Sequence, residues 1–162
     1  MNFADVYARH GRDVFRFALY LSGNAAVAEE IAAETFARAW VARDQIRVGT
    51  VKAYLLAIAR NLHRDTARRP AEATLDLGID PRDPARDPEA AAHVKAELAA
   101  VLASLGELPE LDRAALLMAT VEEMPYDSIG AALGLSIPAV KVRVHRARVK
   151  LNAARSRKGY EP

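Results

Sequence analysis

The chain has 162 residues, of which 51% are hydrophobic and 27% are charged, and its formal net charge is +2. The absence of cysteine excludes disulfide scaffolds, thiolate zinc sites and cysteine nucleophiles, and no apolar run approaches the roughly 18 residues of a membrane span. The first residues lack the apolar segment of a signal peptide, which predicts a cytoplasmic protein. Alanine supplies 34 residues, a composition that favours closely packed helices, so we predict an all-α fold.

Charge divides the chain into three segments. Residues 1–69 carry 11 bases and 7 acids, residues 70–89 carry 2 bases and 6 acids, and residues 90–162 carry 10 bases and 8 acids. The middle segment also holds four of the eight prolines, which interrupt helices. We therefore predict two small helical domains, at 1–69 and 96–162, joined by a flexible acidic linker over 70–95. This linker is either a solvated tether or an extended segment that lies in a basic channel of a partner.

The first domain contains three helical patterns. The first pattern ends at the Ser-Gly-Asn sequence of residues 22–24, and Asn24 is placed to cap the second helix. Thr50 is placed to cap the third helix. In the first helix, the residues at helical spacing are Val6, Val14, Phe17 and Leu21. In the second helix, the side chains predicted to face largely inward are Val27, Ile31, Phe36 and Trp40. In the third helix, an apolar face is formed by Val51, Tyr54, Leu55, Ile58 and Leu62.

A basic stripe follows the third helix on another face. Arg60, Arg64 and Arg68 recur at a spacing of four residues. Such a stripe is either a solvated surface or a groove for a polyanion, because stacked like charges repel one another unless something neutralises them.

The second domain ends in a pattern typical of a helix-turn-helix. A short helix is predicted over 126–133, Gly134 permits a tight turn, and Ser136 is placed to cap a second helix that carries Pro138 in its first turn. Between Ile137 and Lys158 the sequence has eight bases and no acid. The pattern predicts a basic helix that enters the major groove of DNA, with a solvated helical hairpin as the alternative. Val140, Val144 and Leu151 are predicted to face inward.

Both domains carry motifs of one family. The sequence AEEIAAETFARAW (28–40) resembles the region-two helix of the bacterial extracytoplasmic-function (ECF) sigma factors, and VKAYLLAIARNLHRDTARR (51–69) is similar to the promoter-melting helix that follows it. The segment 108–151 resembles region four of the same family. Joined at this spacing, the motifs identify the chain as a member of that family.

The resemblance implies a function in transcription initiation without catalysis and without a cofactor. The expected partners are core RNA polymerase, through its clamp helices and flap, promoter DNA as duplex and as melted non-template strand, and an anti-sigma factor. By the same resemblance, the residues expected to bind core polymerase are Glu30, Glu34, Phe36 and Arg38.

The resemblance also implies two sets of DNA contacts. The residues expected to melt or read the downstream (−10) element are Ala42, Ile46, Tyr54, Ile58, Arg60, Asn61, Arg64 and Arg68. In that set, Asn61 would read a flipped base in a pocket walled by Ile58, Ile46 and Ala42, while the arginines hold phosphates. The residues expected to face base edges in the upstream (−35) element are Lys141, Val142, His145 and Arg146, and those expected near its phosphates are Tyr126, Asp127, Arg143 and Arg148.

Two other classes of function are alternatives to this interpretation. A stand-alone helix-turn-helix regulator would account for the second domain but would leave residues 28–69 without a task, and it would bind its operator without polymerase. A helical metalloenzyme would need histidines at ligand spacing, whereas the four histidines lie far apart in the sequence, at positions 10, 63, 93 and 145.

Overall fold

The computed structural model describes residues 2–47, 51–66 and 87–157. All regular structure in these ranges is helical, as the composition predicted. None of the helices there combines the length and apolarity that a membrane crossing requires. Three predicted features lie outside the described residues: the cap Thr50, Arg68 of the basic stripe, and residues 70–86 of the linker.

In the described part of the first module there are three α-helices, α1 (Phe3–Ser22), α2 (Ala25–Val41) and α3 (Val51–Thr66), with a short 3₁₀ helix (Arg43–Gln45) after α2. Gly23 ends α1 with a φ of 72°, in the left-handed region that glycine tolerates. Asn24 then caps α2 as predicted, because its side-chain oxygen accepts a 3.1 Å hydrogen bond from the backbone N–H of Val27. The three helices pack against one another.

The expectation that Trp40 faces inward is wrong. Its side chain is about half exposed, although Ile31 and Phe36 of the same helix are buried. Trp40 lies in the last turn of α2, where its ring makes a T-shaped contact with Phe3 at a centroid distance of 5.1 Å and the guanidinium of Arg43 lies 3.9 Å from the ring centroid. A cation on the aromatic face replaces the apolar cover that the periodicity predicted. Tyr54, which belongs to the predicted apolar face of α3, is partly exposed.

Residues 87–157, the described part of the second module, form four helices, α4 (Pro88–Gly106), α5 (Glu110–Thr120), α6 (Tyr126–Leu133) and α7 (Ile137–Arg157). Helix α4 begins inside the range 70–95 that was predicted to be linker. Asp87 caps it by accepting a 3.1 Å hydrogen bond from the N–H of Glu89, and Pro88 occupies its first turn, where the missing N–H costs nothing. Proline, taken as a linker signal, here marks a helix start.

The helix-turn-helix is formed by α6 and α7. Gly134 adopts a φ of 69° in the turn, and the Ser136 hydroxyl accepts a 3.2 Å hydrogen bond from the N–H of Ala139. Val140 and Val144 are buried, whereas Leu151, predicted inward, is only partly buried. The turn predicted from glycine and serine therefore has the predicted geometry.

The two modules pack together. Helix α1 contacts α4 and α5, and α3 contacts α6. The buried apolar side chains of both modules form one continuous cluster. This packing brings bases on α1 and α3 close to acids on the second module.

Candidate polymerase and nucleic-acid interfaces

The exposed face of α7 carries the residues predicted to read bases. Lys141, Val142, His145 and Arg146 are all exposed, and with Val149 they line one shallow surface depression. The basic side chains supply hydrogen-bond donors on this face, while the exposed valines can make apolar contacts with a thymine methyl group. The structure thus brings the four predicted base-reading residues together.

Arg143, predicted to hold a phosphate, lies beside the base-reading face but is anchored from behind. Its Nη1 donates a 3.0 Å hydrogen bond to Oδ1 of Asp112 on α5, and Arg143 remains one-third exposed. The Asp112 carboxylate is buried, and its Oδ2 has no hydrogen-bond partner among the described residues. A buried carboxylate needs a cation, so this pair fixes α7 against α5 and holds the arginine in place.

The other predicted phosphate contacts flank α7. Arg148 is exposed on the same helix. Tyr126 and Asp127 begin α6, where Tyr126 is partly buried and the Asp127 side chain accepts a 2.8 Å hydrogen bond from the N–H of Ser128. Because the Asp127 carboxylate is negatively charged and already accepts this hydrogen bond, the backbone N–H groups at the N-terminus of α6 are better suited to a phosphate than the carboxylate is.

Helix α3 presents the residues predicted to read the melted strand. Tyr54, Ile58 and Asn61 are spaced by four and three residues and so share one helical face. Tyr54 and Asn61 are exposed, and Ile58 is partly buried between them. Ala42 and Ile46, the other predicted pocket walls, are partly buried beside the 3₁₀ helix.

The predicted basic stripe is divided between two environments. Arg64 is exposed, but Arg60 is only 11% exposed because it faces the second module. Its Nε and Nη2 donate hydrogen bonds of 3.1 and 2.8 Å to the two carboxylate oxygens of Glu110 on α5. His63, one turn further along, places Nδ1 3.6 Å from the same carboxylate. Arg60 is therefore bound by a bidentate pair within the chain.

The charge at Glu110 is held firmly in the ionised form. Burial raises the pKa of Glu110, but the His63 imidazole and the Arg60 guanidinium outweigh burial, and the pKa lies at about 2. The carboxylate is thus a permanent anion at neutral pH.

A second glutamate of the same module binds two further bases. The side chain of Glu122 is fully buried and accepts hydrogen bonds of 3.1 and 3.0 Å from Nε and Nη2 of Arg16. Lys52 Nζ lies 3.0 Å from Glu122 Oε2 and also donates to its backbone carbonyl. The hydrogen bond to Glu122 raises the pKa of Arg16. Asp13 joins the cluster through Arg16 and Lys52.

A third contact joins the modules through backbone groups. Arg113 donates to the carbonyl of Leu21 near the end of α1 and, at 2.9 Å, to the carbonyl of Leu108. Burial lowers the pKa of Arg113. Carbonyls at a helix C-terminus lack intrahelical partners, so a cation there satisfies them and faces the negative end of the helix dipole.

Helix α2 carries the residues predicted to bind core polymerase. Glu30 and Glu34 are exposed one turn apart, and Arg38 donates a 3.1 Å hydrogen bond to Glu34 while remaining half exposed. Phe36 is buried, with its ring packed edge-on against Phe3 and Tyr7. Phe36 therefore supports this face from beneath instead of presenting itself to a partner.

The acids that face the first module were missed at the level of the sequence. Glu110 and Glu122 lie in a segment, residues 90–136, that carries 2 bases and 7 acids. Set against the net positive first domain, this imbalance is a signal for docking between the modules. Within the described ranges, no cluster of three or more histidine, aspartate or glutamate side chains is arranged to hold a metal ion.

Two family profiles match the chain. The profile described as Sigma-70 region 2 matches residues 6–72, and the profile described as Sigma-70, region 4 matches residues 98–151. The chain is 34% identical over 151 residues to the ECF RNA polymerase sigma factor SigE of Mycolicibacterium smegmatis, covering 91% of this chain and 59% of that protein. It is 34% identical over 139 residues to the ECF RNA polymerase sigma factor EcfG of Rhodopseudomonas palustris, covering 85% of this chain and 76% of that protein.

Solved structures have the same fold. CnrH in complex with the cytosolic domain of CnrY matches with a TM-score of 0.71 and 28% identity, over 94% of this chain and 86% of that one. RpoE of Bartonella quintana in complex with the anti-sigma factor NepR matches with a TM-score of 0.72 and 23% identity, over 93% of this chain and 94% of that one. The second likeness extends to the fold alone.

Proposed function

The chain belongs to the extracytoplasmic-function sigma factors, and from that premise we propose how its surfaces divide the work of transcription initiation. It binds core RNA polymerase in the cytoplasm, brings it to a promoter and helps to open the duplex. The observation that carries this proposal is the presence, in one chain, of a region-two module and a helix-turn-helix with an acid-free basic helix. The polymerase performs the chemistry, so the chain itself needs no catalytic residue or cofactor.

The helix-turn-helix recognises the upstream promoter element. Helix α7 lies in the major groove with Lys141, His145 and Arg146 toward base edges and Val142 toward a thymine methyl group. Arg146 is suited to a bidentate contact with guanine, worth about 1–3 kcal/mol of discrimination. Arg148 and the Asp112-anchored Arg143 hold the flanking phosphates, and the N-terminus of α6 at Tyr126 and Asp127 adds a backbone contact.

Helix α3 engages the melted non-template strand of the downstream element. Asn61 reads the Watson–Crick edge of a flipped base, and Ile58, with Ile46 and Ala42, walls the pocket. Tyr54 offers an aromatic face on which a base stacks. The arginines at 60, 64 and 68 hold the backbone of that strand.

The acidic face of α2 binds core polymerase. Glu30 and Glu34 pair with basic side chains of the clamp helices, and Arg38 fixes the rotamer of Glu34. The chain also contacts the flap of the polymerase. Because CnrH and RpoE were each solved with a protein bound to them, NepR being an anti-sigma factor, we include an anti-sigma factor among the partners of this chain.

Run-off transcription with core polymerase on genomic fragments tests this proposal. The chain should direct initiation at discrete start sites that core polymerase alone does not use. Asn61→Ala should still form closed complexes but should show reduced permanganate reactivity of the melted thymines, because the base-reading amide is gone. Asn152→Ala, which removes an exposed amide from the end of α7, is the matched control and should behave as the unaltered chain. If the chain instead bound an operator by itself and did not direct initiation by core polymerase, it would be a stand-alone regulator.

A further inference from the structure

The modules meet through ion pairs between acids of the second module and bases of the first. We call this set the interdomain clasp, and its members are Glu110 with Arg60 and His63, and Glu122 with Arg16 and Lys52. Both glutamates come from the second module, and every base comes from α1 or α3. The clasp therefore exists only while the modules are packed together.

The Glu122 half of the clasp has the features of an anchor. The Glu122 carboxylate is fully buried, whereas its partners Arg16 and Lys52 are 39% and 31% exposed. Burying an ionised carboxylate is costly unless cations and hydrogen bonds replace its water. Since α1 and α3 provide those groups, Glu122 can be buried only while the two modules are packed together, which we call the closed arrangement.

The Glu110 half of the clasp has the features of a competitor. A guanidinium fork binds a carboxylate and a phosphate with the same bidentate geometry. Both oxygens of Glu110 are within 3.1 Å of donors on Arg60, and Arg60 is almost wholly covered. A DNA phosphate therefore cannot reach Arg60 while the pair is intact.

The clasp covers Arg60 but not the other residues of α3 that are proposed to contact DNA. Asn61, Tyr54 and Arg64 stay accessible in the closed arrangement. The clasp thus leaves the base-reading face open and removes one backbone contact, which lowers affinity without altering sequence preference.

We propose that the clasp is an autoinhibitory contact in which Glu110 occupies Arg60 in place of a DNA phosphate, so that the free chain withholds this arginine until a partner separates the modules. The inference rests on the proposed contact between Arg60 and DNA. It adds an internal ligand for that site, and it makes module separation a condition for full DNA binding. The apparent affinity of the free chain is then reduced by the fraction of molecules that are open.

The conformational part of the proposal is tested by energy transfer within the full chain. Because the sequence has no cysteine, Ala4→Cys on α1 and Ala153→Cys on α7, both exposed, provide two unique labelling sites. Glu110→Lys should lower the transfer efficiency, because it places two cations face to face. Adding Arg60→Glu should restore the efficiency by reversing the pair. No change with Glu110→Lys, or a fall that Arg60→Glu does not reverse, would overturn the pairing as a closing device.

The competitive part is tested with a fluorescent single-stranded DNA of mixed sequence and the unlabelled full chain. Glu110→Gln should bind about three- to tenfold more tightly than the unaltered chain and should steepen the salt dependence by about 0.7 in log–log slope, the value for one phosphate contact on a single strand. Glu107→Gln, an exposed site three residues away, removes the same charge and should not tighten binding. The gain from Glu110→Gln should vanish when Arg60→Ala is also present. Equal affinities of the two glutamine variants would overturn the competition.

Failure of the proposed function has a different signature. If Arg60 does not contact DNA, Arg60→Ala leaves transcription by the assembled holoenzyme unchanged. Glu110→Lys still lowers the energy transfer in that case, and adding Arg60→Glu still restores it. That combination would overturn the competition with phosphate. Loss of transcription with Arg60→Ala, together with the gain in free-chain affinity from Glu110→Gln, would support both.

Discussion

A single carboxylate, that of Glu110, determines what Arg60 is able to do. The same arginine is a phosphate anchor when it is free and a structural cation when it is paired, and the choice depends on a side chain 50 residues away. Arg143 shows a milder form of this arrangement, because Asp112 takes one of its nitrogens yet leaves a third of the side chain exposed. At the level of residues, acids of α5 decide which arginines are available.

The stability that Glu110 contributes should depend on pH. Its pKa is about 2 in the folded chain and 4.5 ordinarily, so the stabilisation is fully present above about pH 4.5 and is lost as the pH falls toward about 2. Urea unfolding should show Glu110→Gln less stable than the unaltered chain by about 1–3 kcal/mol at pH 7, with the gap narrowing below about pH 4.5.

The control for this titration is Glu107→Gln, which should change the unfolding free energy by less than about 0.5 kcal/mol because the site is exposed. A gap for Glu110→Gln that stayed constant from pH 7 to pH 3.5 would contradict the ion pair as its cause.

At the scale of elements, local signals predicted local structure. The caps at Asn24 and Ser136 and the turn at Gly134 followed from residue types alone, because side-chain oxygens and left-handed glycine act within a few residues. The environments of Trp40 and Arg60 did not follow, because each depends on a residue that is distant in sequence. Phe3 packs against Trp40, in addition to the nearby Arg43, and Glu110 binds Arg60. Periodicity identifies a helical face but not the element that covers it.

The turn between α6 and α7 depends on Gly130, a glycine for which the sequence pattern predicted no role. A Cβ added at Gly130 would lie 2.5 Å from the carbonyl oxygen of Leu135, a contact with backbone that no rotamer change relieves. Gly130→Ala should therefore destabilise the chain by about 1–3 kcal/mol and should weaken DNA binding by α7. Gly106→Ala, at the end of α4 with nothing near its added methyl group, should be neutral or slightly stabilising.

Thermal unfolding and upstream-element binding, measured on both glycine variants, test whether the turn between α6 and α7 requires a glycine at position 130. Equal melting temperatures for the two variants would show that the turn relaxes without cost.

At the scale of the whole molecule, two modules were predictable but their contact was not. The charge pattern separated a basic first domain from an acidic segment, yet attraction between segments fixes neither the partner of each residue nor the packing of α1 on α5. The contact matters for function because polymerase has to bind a chain whose two modules are already packed against each other. A partner shifts such an equilibrium only by binding the open state more tightly than the closed one.

The acidic face of α2 is exposed in the closed arrangement, so core polymerase should capture the closed chain there first and open it afterwards. Energy transfer between labels at positions 4 and 153 should fall when core polymerase is added in excess. Glu30→Arg with Glu34→Arg should abolish this fall at the same polymerase concentration, since charge reversal repels the basic clamp. Glu89→Arg with Glu97→Arg, which makes the same charge change on exposed positions of α4, should retain the fall. Circular dichroism of each variant should show the same helical content, and opening that persists in the Glu30 and Glu34 variant would move the polymerase contact away from α2.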